Sequence, residues 1–197
     1  PEDRVIIVDP EDEYSDIGRA FGAQMVDISI GSKTHINLLD LPDLDRLDDE
    51  DDDPIGDKAN LLMGLFESIL SEVTDAQIGI IDRVTGVTYE RYLTEDFTPT
   101  LKEWHQVLKE QPEPEAQDLA LAVETYTTGS QDIFAHNTNV DLNHRFVIFN
   151  LKKLSHKLKP FALMVIQDYI WNQIVENQGK CTTWVYFDEM QILFKNK

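Results

Sequence analysis

RVIIVDP, at residues 4–10, is a short run of β-branched residues closed by an Asp-Pro pair. Continuous apolar runs of this kind are typical of strands buried on both faces of a parallel sheet. A polar loop follows, and residues 15–21 are predicted to form a short helix, with Gly22 suited to the left-handed position after it. Residues 25–30 are predicted to form a second strand. The order strand, helix, strand indicates an α/β fold.

The last third of the chain repeats this order. Residues 145–151 (RFVIFNL) are predicted to form a strand, and residues 160–177 a long helix that Gly179 ends. Residues 181–187 (CTTWVYF) are predicted to form a final strand. A helix between two strands implies a right-handed crossover in a parallel sheet.

Between these two portions the pattern is helical. Apolar residues recur at steps of three and four from about residue 57 to residue 128, in four predicted helices without a strand between them. Thr74 and Gln77 form the expected capping box of the second of these helices. The sequence therefore predicts α/β portions at residues 1–42 and 131–197, and an inserted all-α subdomain at residues 43–130.

The charge of the chain is strongly acidic. It has 37 acidic and 17 basic residues among 197, a formal net charge of −20. Such a surface repels phosphate backbones and anionic membranes, which argues against direct binding of nucleic acid or lipid. The acids concentrate at residues 43–57, where a solvated loop is predicted. This segment lacks the central Gly and terminal Glu of an EF-hand calcium loop.

Asp188 and Glu189 directly follow the last predicted strand. The carboxyl ends of parallel strands are where α/β sheets hold ligands. Four apolar residues, Asp and then Glu form the Walker B pattern of P-loop ATPases. In that pattern the Asp holds Mg²⁺, usually through water, and the Glu orients and deprotonates the water that attacks the γ-phosphate. A strand that ends in a solvated acidic turn is the alternative.

Two further sites are candidates. DPEDEY, at residues 9–14, also follows a buried strand and could lie along the same sheet edge, where its carboxylates could hold a water or a metal. An ordinary polar loop is the alternative. Arg145, at the entry of a strand, could stabilise transition-state charge near a phosphate. A surface ion pair is the alternative for this arginine.

No phosphate-binding loop of the form G-x-x-x-x-G-K-[ST] occurs in the sequence. The only Gly-Lys pair, Gly179-Lys180, is followed by Cys181. The chain also begins without Met and ends shortly after the hydrophobic run at residues 190–194. We therefore expect it to be a fragment of a larger domain.

Taken in order, several segments resemble the conjugative-transfer ATPases of the TraC, TraE and TrsE type, the fourth component of the VirB series in type IV secretion. Each match is weak alone, but their order is specific and covers essentially the whole chain. The matching segments are D-P-E-x-E-Y at 9–14, I-N-x-L-D at 36–40 with Leu38 in place of the usual Pro, T-P-T-L at 98–101, Y-x-x-G-S at 126–130, T-N-V-D at 138–141 and F-D-E at 187–189.

This resemblance implies an incomplete RecA-like P-loop NTPase domain of the FtsK–HerA superfamily, using ATP and Mg²⁺. Asp188 would be the magnesium carboxylate and Glu189 the catalytic one. Glu13 would lie near the hydrolytic water, and Arg145 would contact a phosphate or a neighbouring subunit. The Walker A segment would precede Pro1, so this chain alone is predicted to be inactive.

The resemblance also implies a setting. Such a motor acts as a hexamer at the cytoplasmic face of the inner membrane and works with other subunits of a transfer channel.

Two alternative functions remain open at this point. One is a related DNA translocase, such as a coupling protein or a HerA-like motor. The other is a non-enzymatic module whose acidic helical subdomain docks a channel protein.

Overall fold

The computed structural model describes residues 3–43, 53–94, 96–140 and 144–190. The described residues confirm an α/β fold with four strands and six helices. Residues 44–52 of the predicted acidic loop lie outside this description. The elements are β1 (Arg4–Asp9), α1 (Ser15–Ala20), β2 (Gln24–Asp27), α2 (Pro54–Ile69), α3 (Asp75–Tyr92), α4 (Leu101–Lys109), α5 (Pro114–Thr127), β3 (Phe146–Asn150), α6 (Leu158–Glu176) and β4 (Thr183–Phe187).

The four described strands form one parallel sheet in the order β2-β3-β1-β4. β1 is bonded on both sides, because Ile6 pairs with Val147 of β3 and with Val185 of β4. Strands from the two ends of the chain therefore alternate in a single sheet.

β2 is shorter than predicted, since it ends at Asp27. The N–H of Ser32 donates to the carbonyl of Ser29 at 3.0 Å, and Gly31 has a φ of 75°. This turn leads the chain away from the sheet before residue 30. The alternation of apolar and polar residues could not reveal where the turn begins.

Helix α1 lies unusually close to one face of the sheet at Gly18. A Cβ atom on Gly18 would lie 2.5 Å from Cδ1 of Ile148 and 3.1 Å from Sδ of Met25. Only glycine allows this approach, which fixes the helix directly after the loop at residues 9–14. Gly22, with a φ of 70°, follows the helix in the left-handed conformation expected from the sequence.

The substitution Gly18→Ala should therefore destabilise the chain by about 1–3 kcal/mol, because the new methyl group overpacks the interface between α1 and the sheet. Gly79→Ala is the matched control, since Gly79 lies in α3 and a Cβ there meets no atom within 4 Å. That control should stabilise the chain by about 1 kcal/mol through helix propensity. Urea denaturation measures both changes, and equal effects at the two sites would contradict the close approach.

The other face of the sheet carries α6, which in turn packs against α2 of the helical portion. Val185 and Phe187 line one cleft together with Met164 and Ile170 of α6, which places α6 on their face. None of the helices in the described part of the chain is long and apolar enough to cross a bilayer.

Helices α2–α5 pack mainly on their sequence neighbours and share an apolar core. The rings of Phe66 and Trp104 lie 5.3 Å apart, and Trp104 Nε1 donates to Thr85 Oγ1 at 3.0 Å. The capping box predicted at Thr74 and Gln77 is confirmed. The division of the chain at residues 42 and 130 stays a prediction.

The segment at residues 36–41 connects the helical and α/β portions. Its backbone N–H at Asn37 donates to Thr138 Oγ1 at 2.7 Å, and Asn37 Nδ2 donates to the carbonyl of Pro99 at 3.0 Å. The hydroxyl of Tyr89 in α3 donates to the carbonyl of Leu39 at 2.7 Å. These bonds satisfy buried polar groups that would otherwise destabilise the junction.

A cluster of charged side chains lies at the same junction. Lys58 of α2 is buried and forms an ion pair with Asp168 of α6. The carboxylate of Asp40 accepts a hydrogen bond from the Thr138 hydroxyl. Burial raises the pKa of both Asp40 and Asp168, although the positive charge of Lys58 opposes the rise. Two carboxylates therefore share the field of one buried ammonium group.

A raised pKa in the folded chain means that folding is favoured when these carboxyls are protonated. This contribution to the free energy of unfolding is fully present below the unfolded pKa and is lost as the pH rises through the folded pKa. Asp40→Asn should reduce this pH dependence, while Asp118→Asn on the exposed side of α5 should not. Urea denaturation over a series of pH values measures the difference. If the free energy of unfolding of Asp40→Asn depends on pH as strongly as that of the unsubstituted chain, the effect of burial on Asp40 is contradicted.

Candidate functional site

The two acidic segments meet at the carboxyl edge of the sheet. β1 and β4 are adjacent and parallel, with Val8 paired to Phe187. Immediately beyond this pair, the N–H of Asp188 donates to the carbonyl of Val8 at 3.0 Å. The structure therefore places Asp188 beside the start of the loop that carries Glu13, at one edge of the sheet.

Asp9 shapes this loop from within. Its side chain is fully buried, and its two oxygens accept the N–H groups of Glu13 at 3.0 Å and Tyr14 at 2.9 Å. Hydrogen bonds to a carboxylate are stronger than those between neutral groups. Asp9 is therefore a structural residue of the loop, whereas the side chain of Glu13 is exposed at the sheet edge.

Asn150 at the end of β3 completes the edge and was missed by the sequence analysis. It is buried, and its Nδ2 donates to the carboxylate of Asp12, which also accepts the hydroxyl of Ser15. Hydrogen bonds from Ser15 and Asn150, together with the charge of Lys152, lower the pKa of Asp12. The signal was available, because an Asn that closes the apolar run FVIFN resembles the Asp that closes WVYFD.

Tyr14 lies in the electrostatic field of the same carboxylates. The charge of Asp188, partial burial and the charges of Glu13 and Asp9 raise the pKa of its phenol, with Asp188 contributing most. The phenol therefore stays protonated at neutral pH and can donate a hydrogen bond.

Glu189 has a φ of 53°, a left-handed conformation that costs a non-glycine residue about 1–2 kcal/mol. Its N–H donates to the Oδ1 atom of Asp188 at 2.9 Å. Strain of this kind concentrates at functional sites, where it fixes the direction of a side chain. Here it turns the chain directly after β4.

A matched pair of variants tests this strain. Glu189→Gly and Glu189→Ala both remove the carboxylate, but only glycine relieves the left-handed backbone. The glycine variant should therefore be more stable than the alanine variant by about 1 kcal/mol. At Glu90, inside helix α3, the order should reverse by about the same amount because of helix propensity. Thermal or urea denaturation compares the four variants. If the glycine variant is less stable than the alanine variant at both positions, the strain at Glu189 is contradicted.

The structure does not bring Arg145 together with the other candidate residues. It directly precedes β3, and its Nε donates to the backbone carbonyl of Asp3 at 3.4 Å. Asn150, at the carboxyl edge, lies five positions further along the strand, a distance of about 16 Å. A contact between Arg145 and a phosphate of this same site does not fit that position. A contact with a neighbouring subunit stays a prediction.

The donor set at the edge fits a magnesium ion that is bound mainly by a nucleotide and water. Among the described residues, no group of three or more His, Cys, Asp or Glu side chains could hold a metal ion alone. Mg²⁺ characteristically takes one or two carboxylates together with phosphate oxygens and water. Asp188 supplies a carboxylate of the required type, with Glu189 next to it.

Four parallel strands with helices on both faces, and acidic residues along the carboxyl edge, define a partial RecA-like α/β fold. Among solved structures, this fold is similar to VirB4 of Thermoanaerobacter pseudethanolicus, with a TM-score of 0.82 and 23% sequence identity. The likeness covers 96% of this chain and 76% of that chain. No family model and no curated protein matches the sequence. The fold expected from the resemblance to conjugative-transfer ATPases is thus confirmed.

Proposed function

We propose that this chain is the central part of an ATP-hydrolysing motor that energises transfer of DNA or protein through a conjugative type IV secretion channel. The shared fold with a VirB4 protein supports this proposal. The order of the matching sequence segments supports it independently, because segments such as D-P-E-x-E-Y and F-D-E occupy the carboxyl edge where α/β sheets hold ligands.

The observation that carries the proposal is the meeting of Asp188 and the loop at residues 9–14 on adjacent parallel strands, joined by the bond from Asp188 N to Val8 O. Without this pairing the two acidic segments would be unrelated surface features. With it, Asp188, Glu189 and Glu13 lie along a single edge. This placement supports our proposal that Asp188 and Glu189 form a Walker B site.

In this proposal each side chain has a separate role. Asp188 would hold the Mg²⁺ that accompanies ATP, because Mg²⁺ prefers carboxylate oxygen. Glu189 orients the attacking water and accepts its proton, while Glu13 lies close to that water and orders it. The nucleotide phosphates are held by a Walker A loop, which this sequence lacks, so the chain alone should not turn over ATP.

The proposal also includes the oligomeric state, the location and the partners of the protein. The complete motor forms a hexamer at the cytoplasmic face of the cell membrane and contacts the other subunits of the channel. Membrane association comes only through these partners. The charge of −20 disfavours direct contact of this fragment with nucleic acid, which argues for channel energising over DNA translocation by these residues.

The test uses a longer protein in which a Walker A segment precedes this chain, as the proposal requires. Glu189→Gln should lower ATP turnover by about 10²- to 10⁴-fold, the range of a general base, while ATP binding is retained. Asp188→Asn should instead weaken binding of ATP in the presence of Mg²⁺. Steady-state turnover and nucleotide titration separate the two effects.

Glu90→Gln is the matched control, because this glutamate is exposed on α3, in the helical portion. It should leave turnover unchanged. Full activity in Glu189→Gln, or Glu189-dependent turnover by the 197-residue chain alone, would contradict the proposed roles. If the longer protein without any substitution does not bind nucleotide, that result would instead favour the non-enzymatic interaction module.

A further inference from the structure

Helix α6 carries two ion pairs that involve buried lysines, one near its start and one near its middle. Lys159, in its first turn, bonds to Glu11 in the loop at residues 9–14. Asp168, nine residues later, bonds to Lys58 of α2. At 1.5 Å per residue the two positions are about 13.5 Å apart along one rigid helix. α6 is therefore tied at one point to the candidate site and at another to the helical portion.

The position of Lys159 is energetically unfavourable for a charged side chain, which indicates that this residue has a specific role. Its side chain is only 4% exposed, so its ammonium group has lost most of its hydration. It also lies near the positive end of the helix dipole, where a cation is disfavoured. The bond from Lys159 lowers the pKa of Glu11, which remains charged and compensates the lysine. The pair therefore fixes the distance between α6 and the loop.

The second pair fixes α6 to the other side of the junction. Lys58 is 3% exposed, and Asp168 is its ion-pair partner. Nearby, Asn172 Nδ2 donates to the carbonyl of Asp40 at 3.1 Å. The hydroxyl of Tyr169 donates to the carbonyl of Val140 at 2.6 Å. A displacement of α2 must therefore move α6, or else leave a buried ammonium without its partner.

We propose that α6 couples the helical portion to the candidate site, with Lys58 and Lys159 as positioning residues for the loop that carries Glu13. Displacement of α2 is transmitted through Asp168 to α6, and from Lys159 through Glu11 to the loop. The functional meaning of this coupling rests on the proposed ATPase role of Glu13. The mechanical coupling itself does not, because it concerns only contacts within this chain.

The test is amide hydrogen exchange on the 197-residue chain carrying Lys58→Met. The amides of Glu13 and Tyr14, which donate to Asp9, report on the loop. Breaking the distant pair should speed their exchange by about fivefold or more, the lower end of measured couplings between sites. If Lys58→Met does not fold, Asp168→Asn perturbs the same pair while conserving the shape of the side chain.

Arg91→Met is the matched control, since Arg91 pairs with Glu110 on the exposed surface of the helical portion. It should leave exchange in the loop unchanged. Lys159→Met should speed loop exchange directly without affecting α3. If Lys58→Met or Asp168→Asn speeds exchange in α2 and α6 alone, while residues 13 and 14 exchange as in the parent chain, the coupling is overturned.

A second readout distinguishes coupling from general loss of stability. The Glu11 carboxyl can be titrated by NMR in Lys58→Met, and its pKa should rise toward the ordinary glutamate value as the bond from Lys159 loosens. Arg91→Met should leave this pKa in place. Both measurements are made without nucleotide. If these measurements show no coupling, the ATPase proposal is unaffected. If the longer protein does not hydrolyse ATP, the coupling proposal is unaffected.

Discussion

The pairing of β1 with both β3 and β4 is the constraint on which the rest of the structure depends. β1 lies early in the chain, whereas its two partners come from the last third. A parallel sheet can be completed only after the intervening helices have brought these segments together, so the pairing is non-local. It also creates the candidate site. The two acidic segments become neighbours because the strands before them share hydrogen bonds.

The sequence segments that resemble the transfer ATPases have a structural reason to occur together. Asn37, from the segment at 36–40, bonds to Thr138 in the segment at 138–141 and to Pro99 in the segment at 98–101. Three segments distant in sequence thus satisfy each other's polar groups at one junction. They hold the helical portion against the α/β portion. These three segments therefore have a structural role. The proposed catalytic residues lie in the other matching segments, at the sheet edge.

The sequence could predict the elements but could not predict several of their contacts. Strand and helix types followed from apolar periodicity, and Asp188 followed from its place after an apolar run. The order of the strands lay beyond such patterns, because periodicity says nothing about which strands pair. Asn150 was overlooked although it closes an apolar run as Asp188 does, because the sequence does not show its hydrogen bond to Asp12. Arg145 precedes a predicted strand, so the sequence already places it at the end opposite to the carboxyl edge, and this position argued against a contact with a phosphate there.

The loop at residues 9–14 shows how neighbouring acids of similar type acquire different roles. Asp9 accepts two backbone N–H groups, Glu11 is paired with Lys159, and Asp12 is bonded to Ser15 and Asn150. Each of these carboxylates is occupied in holding the loop. Within the described residues, Glu13 is the member of the group whose exposed carboxylate receives no hydrogen bond. Of the four acids, Glu13 therefore has a carboxylate available to act on a water molecule at the edge, and the other three keep it there.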